Sequence, residues 1–217
     1  EDDEIILCLN YDGLYGINNI NRFLQESNPN EPIEWGIQRF KVGDPVLFNE
    51  NERFRTGVYN NMKGKIRSIE IVDEDEPQER IVFDVELEKV IDGMDAFGAD
   101  FMLVDDEYPD AENSVIRFYV NKLKSTDEDD DNSACDVIPF QVAYAVSIHK
   151  AQGLEYSSVK IVITDEVDEL ITHNIFYTAI TRAQKKLKIY WTPEVEKKVL
   201  STIKPKDINK DINILKQ

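Results

Sequence analysis

The apolar positions of the chain change rhythm three times. Ile5-Ile6-Leu7-Cys8-Leu9 is a short continuous apolar run, the pattern of a buried strand. Tyr11-Asp12-Gly13-Leu14-Tyr15-Gly16 interrupts it with two glycines and an aspartate and reads as a loop. Ile17, Ile20, Phe23 and Leu24 then recur at helical spacing, and Asn28-Pro29 stops the helix they predict.

In the middle of the chain the runs are short and of β type: Val46 to Phe48, Gly57 to Tyr59, Lys65 to Val72, Arg80 to Lys89 and Val115 to Val120. Turn signals separate them, at Asn60-Asn61, Asp73 to Pro77 and Asp92-Gly93. Asn60-Asn61 suits the positive-φ positions of a tight hairpin. This is the pattern of a small β-barrel or β-meander. Asp127 to Asp131, five like charges in a row, closes it as a solvated loop.

The last third alternates helix and strand. Pro139 and Gly153 bracket a helix-compatible stretch, proline where a first turn tolerates it and glycine where a helix stops. Val159 to Ile163 reads as a buried strand, Asn174 to Ala183 as a helix, Leu187 to Trp191 as a strand, and Pro193 opens a helix through Leu200. That alternation predicts a parallel sheet with crossovers. The expected organisation is an α/β domain made of residues 1–45 and 137–203, a β module at 46–136 inserted between its halves, and a frayed tail at 204–217.

Composition changes this picture little. The 217 residues are 41% hydrophobic and 31% charged, ordinary for a globular chain. No run of about 18 apolar residues offers a membrane span. The acidic N-terminus, Glu1 to Glu4, is unlike the basic head of a signal peptide. Two cysteines, Cys8 and Cys135, make neither a disulfide framework nor a four-ligand zinc site. The expected location is cytoplasmic.

Charge is more telling. The net charge of −18 argues against a phosphate partner until it is divided along the chain. Residues 71–136 hold 22 acidic and 5 basic residues, leaving 21 and 20 for everything else. One segment carries the excess. It is expected to face away from any nucleic acid, and it suits recruitment of a basic protein partner.

Familiar catalytic patterns are missing from the sequence. Neither His149 nor His173 stands at metal-ligand spacing, so no metal is expected on this chain. There is no Gly-x-Ser-x-Gly elbow and no Gly-x-x-x-x-Gly-Lys-Ser/Thr phosphate loop. Two segments nevertheless concentrate polar side chains beside apolar framework. One is Ser147 to Tyr156, which reads as a capped surface loop or as a site. The other is Tyr177 to Ala183, where Arg182 follows a small, apolar helix and reads as a surface ion-pair residue or as a functional arginine.

Taken in order, the runs Ala143-Tyr144-Ala145-Val146-Ser147-Ile148-His149-Lys150-Ala151-Gln152-Gly153-Leu154-Glu155-Tyr156 and Phe176-Tyr177-Thr178-Ala179-Ile180-Thr181-Arg182-Ala183-Gln184-Lys185-Lys186-Leu187 resemble motifs V and VI of superfamily 1 helicases. The likeness is to the RecD-like branch and its UvrD-like C-terminal domain. Ile6-Leu7-Cys8, Gly13 to Gly16 and Asn21 to Gln25 resemble the strand, loop and helix that open this domain. Val42 to Val46 and Val58 to Gly64 resemble the stretch leading into its inserted SH3-like β-barrel. The resemblance covers roughly residues 5–72 and 137–192.

It implies a RecA-like domain of the P-loop NTPase type, the second motor domain without a phosphate loop, carrying that barrel as an insertion. It implies ATP and Mg2+, with the magnesium ligands on a first RecA-like domain outside this chain, and single-stranded DNA as partner; the motifs alone do not choose DNA over RNA. Arg182 stands where the family's arginine reaches the γ-phosphate, a task suited to paired donors that keep their charge. Gln152, Gly153 and Glu155 stand at the nucleotide. Ser147, His149 and Lys150 stand on the side facing the strand, with Asn60 and Lys63 at the base of the barrel. The chain departs from the family in having Ser147 for threonine, Asn60-Asn61 for Asn-Gly, and no basic residue in the Asn10-Tyr11-Asp12 loop. With the family's first RecA-like domain and its phosphate loop absent from it, the chain reads as a C-terminal fragment of a motor, inactive alone. The alternative is a non-catalytic binding module with a helicase-like fold.

Overall fold

The computed structural model describes residues 3–49, 52–54, 57–72, 79–94, 96–122, 137–165 and 171–202. By its internal contacts the chain divides into two units, one of Glu1–Ile17 with Val146–Gln217 and one of Asn18–Ala145.

The first unit is α/β. Its strands are β1 (Glu4–Cys8), β11 (Tyr156–Val162), β12 (Ala183–Tyr190) and β10 (Ala145–Ser147), which begins at the boundary between the units. They lie in the order β10-β1-β11-β12. β1 pairs with β11 in parallel, and β11 with β12 in parallel. The inner strands are apolar because helices cover a parallel sheet: Ile5, Leu7, Val159 and Ile161 are buried. Between β11 and β12 lies α2 (His173–Ile180), giving strand, helix and parallel strand; α3 (Pro193–Thr202) follows. Thr172 caps α2 by accepting the Ile175 N–H at 3.3 Å.

The loop after β1 is closed by two backbone bonds, Gly16 N–H to Gly13 O (3.1 Å) and Ile17 N–H to Asn10 O (3.0 Å). A Cβ on Gly16 would stand 2.3 Å from Asp12 O, so only glycine closes this turn.

The second unit is an antiparallel sheet of six strands in the order β7-β8-β6-β5-β4-β9, with a small hairpin of β2 (Ile33–Trp35) and β3 (Gln38–Phe40). The six are β4 (Pro45–Phe48), β5 (Lys63–Val72), β6 (Arg80–Leu87), β7 (Met102–Leu103), β8 (Val115–Asn121) and β9 (Phe140–Val142). Phe40, Phe48, Phe54, Phe83, Phe118 and Phe140 fill its core. Most of their contacts are edge-on, as for Phe83–Phe140 and Phe54–Phe118 at 5.0 Å between centroids, the arrangement that sets a ring's positive rim against a negative face.

Several expectations change. The stretch from Pro139 to Gly153 is not a helix; β9 pairs with β4, β10 joins the parallel sheet, and only a turn follows. Sheet pairing outweighs local helix compatibility there. Gly57 to Tyr59 is a turn, and of the Asn60-Asn61 pair only Asn61 has positive φ (66°). Residues 49–62 join β4 to β5, so no tight hairpin forms. In α1 (Ile17–Gln25) Phe23 is 69% exposed, while Gln25 is buried.

Gln25 is inside because of Asp44. This carboxylate is fully buried and accepts from the Gln25 and Asn28 amides, the Lys41 N–H and the Tyr144 hydroxyl. The network ties α1 to the start of β4 and to Tyr144. It explains why the boundaries fall at 17/18 and 145/146 rather than at the expected 45/46 and 136/137. The acidic run Asp127 to Asp131 and the tail 204–217 lie outside the described residues.

Candidate motor-domain site

The first candidate segment is a turn hung from the end of β10. Ile148 N–H donates to Cys8 O (3.2 Å), and Ala151, Gln152 and Leu154 N–H groups bond back to the Ser147, His149 and Ala151 carbonyls at 3.0–3.2 Å. Val146, Ile148 and Ala151 are buried and anchor the turn, while His149, Gln152 and Gly153 are exposed. Gly153 has φ +87° and no atom within 4 Å of the place a Cβ would take. Glycine is needed there for its backbone angle, and the space beside it is open.

Ser147 departs from expectation. It is buried (6% exposed), and its Oγ accepts the Lys150 N–H at 3.1 Å, capping the turn instead of facing outward. Lys150 is half-buried, and loss of solvent lowers the pKa of its ammonium.

The second segment is the end of α2 and the start of β12. Thr181 Oγ bonds to the Tyr177 and Thr178 carbonyls at 2.9 and 3.0 Å, closing the helix. Arg182 comes next, and its guanidinium spans the two segments. Nε donates to Thr178 O (3.0 Å), Nη2 to Thr181 Oγ1 (3.1 Å) and Nη1 to Leu154 O (2.9 Å), a carbonyl of the first segment. The backbones meet as well, with Tyr156 N–H donating to Arg182 O at 2.9 Å. Beside them Gln184 Nε2 donates to Glu155 Oε2 at 2.8 Å.

Arg182 thus rests wholly on neutral acceptors. Among the described residues no carboxylate pairs with it, so the surface ion-pair reading does not hold and its charge is fixed in place without a counter-ion. A guanidinium has five N–H donors, and three are used here. Through Leu154 O, Arg182 is tied to the turn that carries His149, Lys150, Gln152 and Gly153, and Glu155 is held next to it by Gln184.

Asn60 and Lys63 belong to the other unit. Asn60 is exposed in the turn before β5; Lys63 opens β5, paired with Leu47, and its N–H and C=O bond to the Glu88 carboxylate and N–H. Sequence reading missed Thr181, Gln184 and the Leu154 carbonyl. Leu154 could not have been found, because a carbonyl has no side-chain signature. Among the described residues no group of three or more His, Cys, Asp or Glu converges on a point that could hold a metal.

Residues 142–190 match the family described as the UvrD-like helicase C-terminal domain, a span that takes in both segments. An uncharacterised protein of Methanocaldococcus jannaschii is 32% identical over 179 residues, 81% of this chain and 13% of that protein. The RecBCD enzyme subunit RecD of Buchnera aphidicola subsp. Schizaphis graminum is 22% identical over 195 residues, 88% of this chain and 25% of its own length. The chain therefore spans a quarter or less of these relatives. A crystal structure of Bacteroides Pif1 bound to ssDNA superposes on 99% of the chain and 46% of its own with a TM-score of 0.51, a likeness of fold at 16% identity. Residues 142–190, which hold both segments with Arg182 in the second, ally this chain with the C-terminal region of the superfamily 1 helicases.

Proposed function

We propose that the chain is the second motor domain of an ATP-dependent helicase, a RecA-like domain with an SH3-like barrel inserted at the second unit. In the longer protein it closes on ATP held by a first RecA-like domain and moves along single-stranded DNA. The observation that carries this reading is Arg182, a permanent positive charge held by three neutral acceptors at the lip of the open Gly153 turn. Such a group is built for an anion that arrives from outside. Its orientation is set before the anion comes, so little reorganisation is needed.

The residues present fit one side of a nucleoside triphosphate. Arg182 has donors left for a phosphoryl oxygen, Gly153 admits close approach, and Gln152 and Glu155 offer hydrogen bonds to the sugar side; magnesium ligands come from the other domain. When bound, ATP supplies the free energy of phosphoryl transfer. The chain's own part is to hold charge where it develops in the transition state. His149 and Lys150, on the same turn, take backbone phosphates of the strand without reading sequence. Ser147 serves them by capping the turn. Asn60 and Lys63 are assigned to the strand as well.

The test is steady-state ATPase kinetics of the longer protein with saturating single-stranded DNA, comparing Arg182 with Arg182→Ala and Arg182→Lys. Both variants lose roughly 10²-fold or more in kcat with a smaller change in KM, because an ammonium lacks the paired planar donors. Arg182→Ala also gives up hydrogen bonds to the fold, at about 1–3 kcal/mol, so the assay is run well below its melting temperature. An unchanged kcat would make Arg182 a purely structural tie and favour the non-catalytic binding module.

A further inference from the structure

Between β6 and β7 the chain makes an excursion whose ends are held firmly. At one end Ile91 is buried, and its N–H donates to Ser114 Oγ at 3.0 Å. At the other, Asp100 N–H donates to Arg53 O (3.0 Å), the Asp100 carboxylate pairs with the Arg53 guanidinium, and the Phe101 ring stands edge-on to Phe54 at 5.8 Å. Turn bonds link the described residues between them: Ala96 N–H to Asp92 O, Phe97 N–H to Met94 O and Ala99 N–H to Ala96 O. Asp92 Oδ1 caps the first turn by accepting the Met94 N–H at 2.8 Å.

Apart from its anchors Ile91 and Phe101, this loop turns large apolar side chains outward. Val90 is 68% exposed, Met94 83%, Phe97 84% and Met102, on the edge strand β7, 65%. Single exposed apolar residues are ordinary. Three large ones on this excursion, with Met102 just beyond it on β7 and with Met94 and Phe97 joined by a turn bond, offer an interaction surface. Methionine is flexible and adapts well to another surface, and phenylalanine offers it a large apolar ring.

The charge beside them selects the occupant. From Glu88 to Glu107 the sequence has seven carboxylates and one ammonium, Lys89; Asp95 lies outside the described residues. Asp100 and Glu107 are paired with Arg53 and Arg117, which still leaves a negative field. A second copy of a chain of net charge −18 brings the same field, and a nucleic acid brings phosphates. Both are repelled.

We propose that residues 88–94 and 96–107 form a docking surface for a basic amphipathic segment of a partner protein. Its apolar face seats on Met94 and Phe97, and its lysines or arginines meet exposed carboxylates such as Asp106. This inference rests on the second unit alone and stands apart from the motor reading.

The experiment titrates the 217-residue chain, isotopically labelled, with a synthetic amphipathic helix of leucine and lysine. Two controls are a scrambled peptide of the same composition and a version with glutamate replacing lysine. The expected result is saturable binding of the basic amphipathic peptide, with the largest amide shifts at residues 90–102. Binding weakens roughly tenfold for the scrambled peptide and in each of Phe97→Ser and Met94→Ser, as for loss of an apolar anchor, and vanishes for the acidic peptide. Both substitutions fall on exposed side chains, so the melting temperature stays where it was. Equal binding of the scrambled peptide, shifts centred elsewhere, indifference to both substitutions, or concentration-dependent self-association that Phe97→Ser abolishes would each overturn the proposal.

Discussion

Cys8 shows how a single residue reports on the sheet around it. It ends β1, is buried, and its carbonyl receives the Ile148 N–H that hangs the site's turn. Burial alone pushes its thiol up to about 12, because a thiolate there has no water and no positive neighbour. In the native chain the thiolate at pH 8 is therefore scarcer by roughly 10³ than in an ordinary cysteine, and alkylation slows at least in that proportion. The check is iodoacetamide labelling of a Cys135→Ser variant, native against denatured; equal rates would mean that β1 opens readily. The sign of the pH effect follows from the same shift. Below the unfolded value of about 9 both states keep the proton and the thiol imposes no penalty; between 9 and 12 the unfolded state loses it first, so stability falls as pH rises.

At the scale of elements, Asp44 has the strongest claim. One buried carboxylate gathers four donors from α1, from the turns on either side of the β2–β3 hairpin and from Tyr144. Removing it strands all four. Asp44→Ala is expected to cost about 3 kcal/mol or more, and Tyr144→Phe, which removes a single donor, about 1–2 kcal/mol. Urea denaturation of both variants measures this. A loss below 1 kcal/mol for Asp44→Ala would show that water replaces the carboxylate easily.

The same residue explains what sequence could and could not show. β1, β4, β6, β8 and β11 were legible because each buries apolar residues within its own unit, and β5, α2 and α3 because their apolar residues recur at the period of a strand or a helix. Asp44 and Gln25 were illegible because their burial depends on partners far along the chain. The Pro139–Gly153 stretch failed for a related reason: its two short strands are decided by β4 and β1, not by their own propensity. In the site, Arg182 and Gly153 were readable as residue types in a motif. What holds Arg182 is backbone carbonyl, which pattern does not display.

For the whole molecule the controlling fact is where its charge lies. Residues 71–136 hold nearly the whole net charge of −18, while the flanking segments that carry the site are balanced. Like charges crowded on one segment repel more in the compact state than in the extended one, and salt screens that repulsion. The strand binding proposed for His149 and Lys150 depends on the opposite effect, since salt weakens it by reducing the gain from released counterions. One change of conditions therefore moves two observables in opposite directions. From low to moderate ionic strength at pH 7, the melting temperature of the 217-residue chain is expected to rise while its weak affinity for single-stranded DNA falls, with no preference for sequence. Replacing Asp127 to Asp131 with asparagine should flatten the first slope and strengthen DNA binding slightly, because the segment carrying the excess no longer opposes the phosphates. Melting curves and fluorescence anisotropy across one salt series measure both on the same samples. A melting temperature that falls with salt would mean that attractive pairs such as Arg117 with Asp84 and Arg67 with Glu86 outweigh the repulsion. DNA affinity indifferent to salt would remove the phosphate contacts assigned to His149 and Lys150.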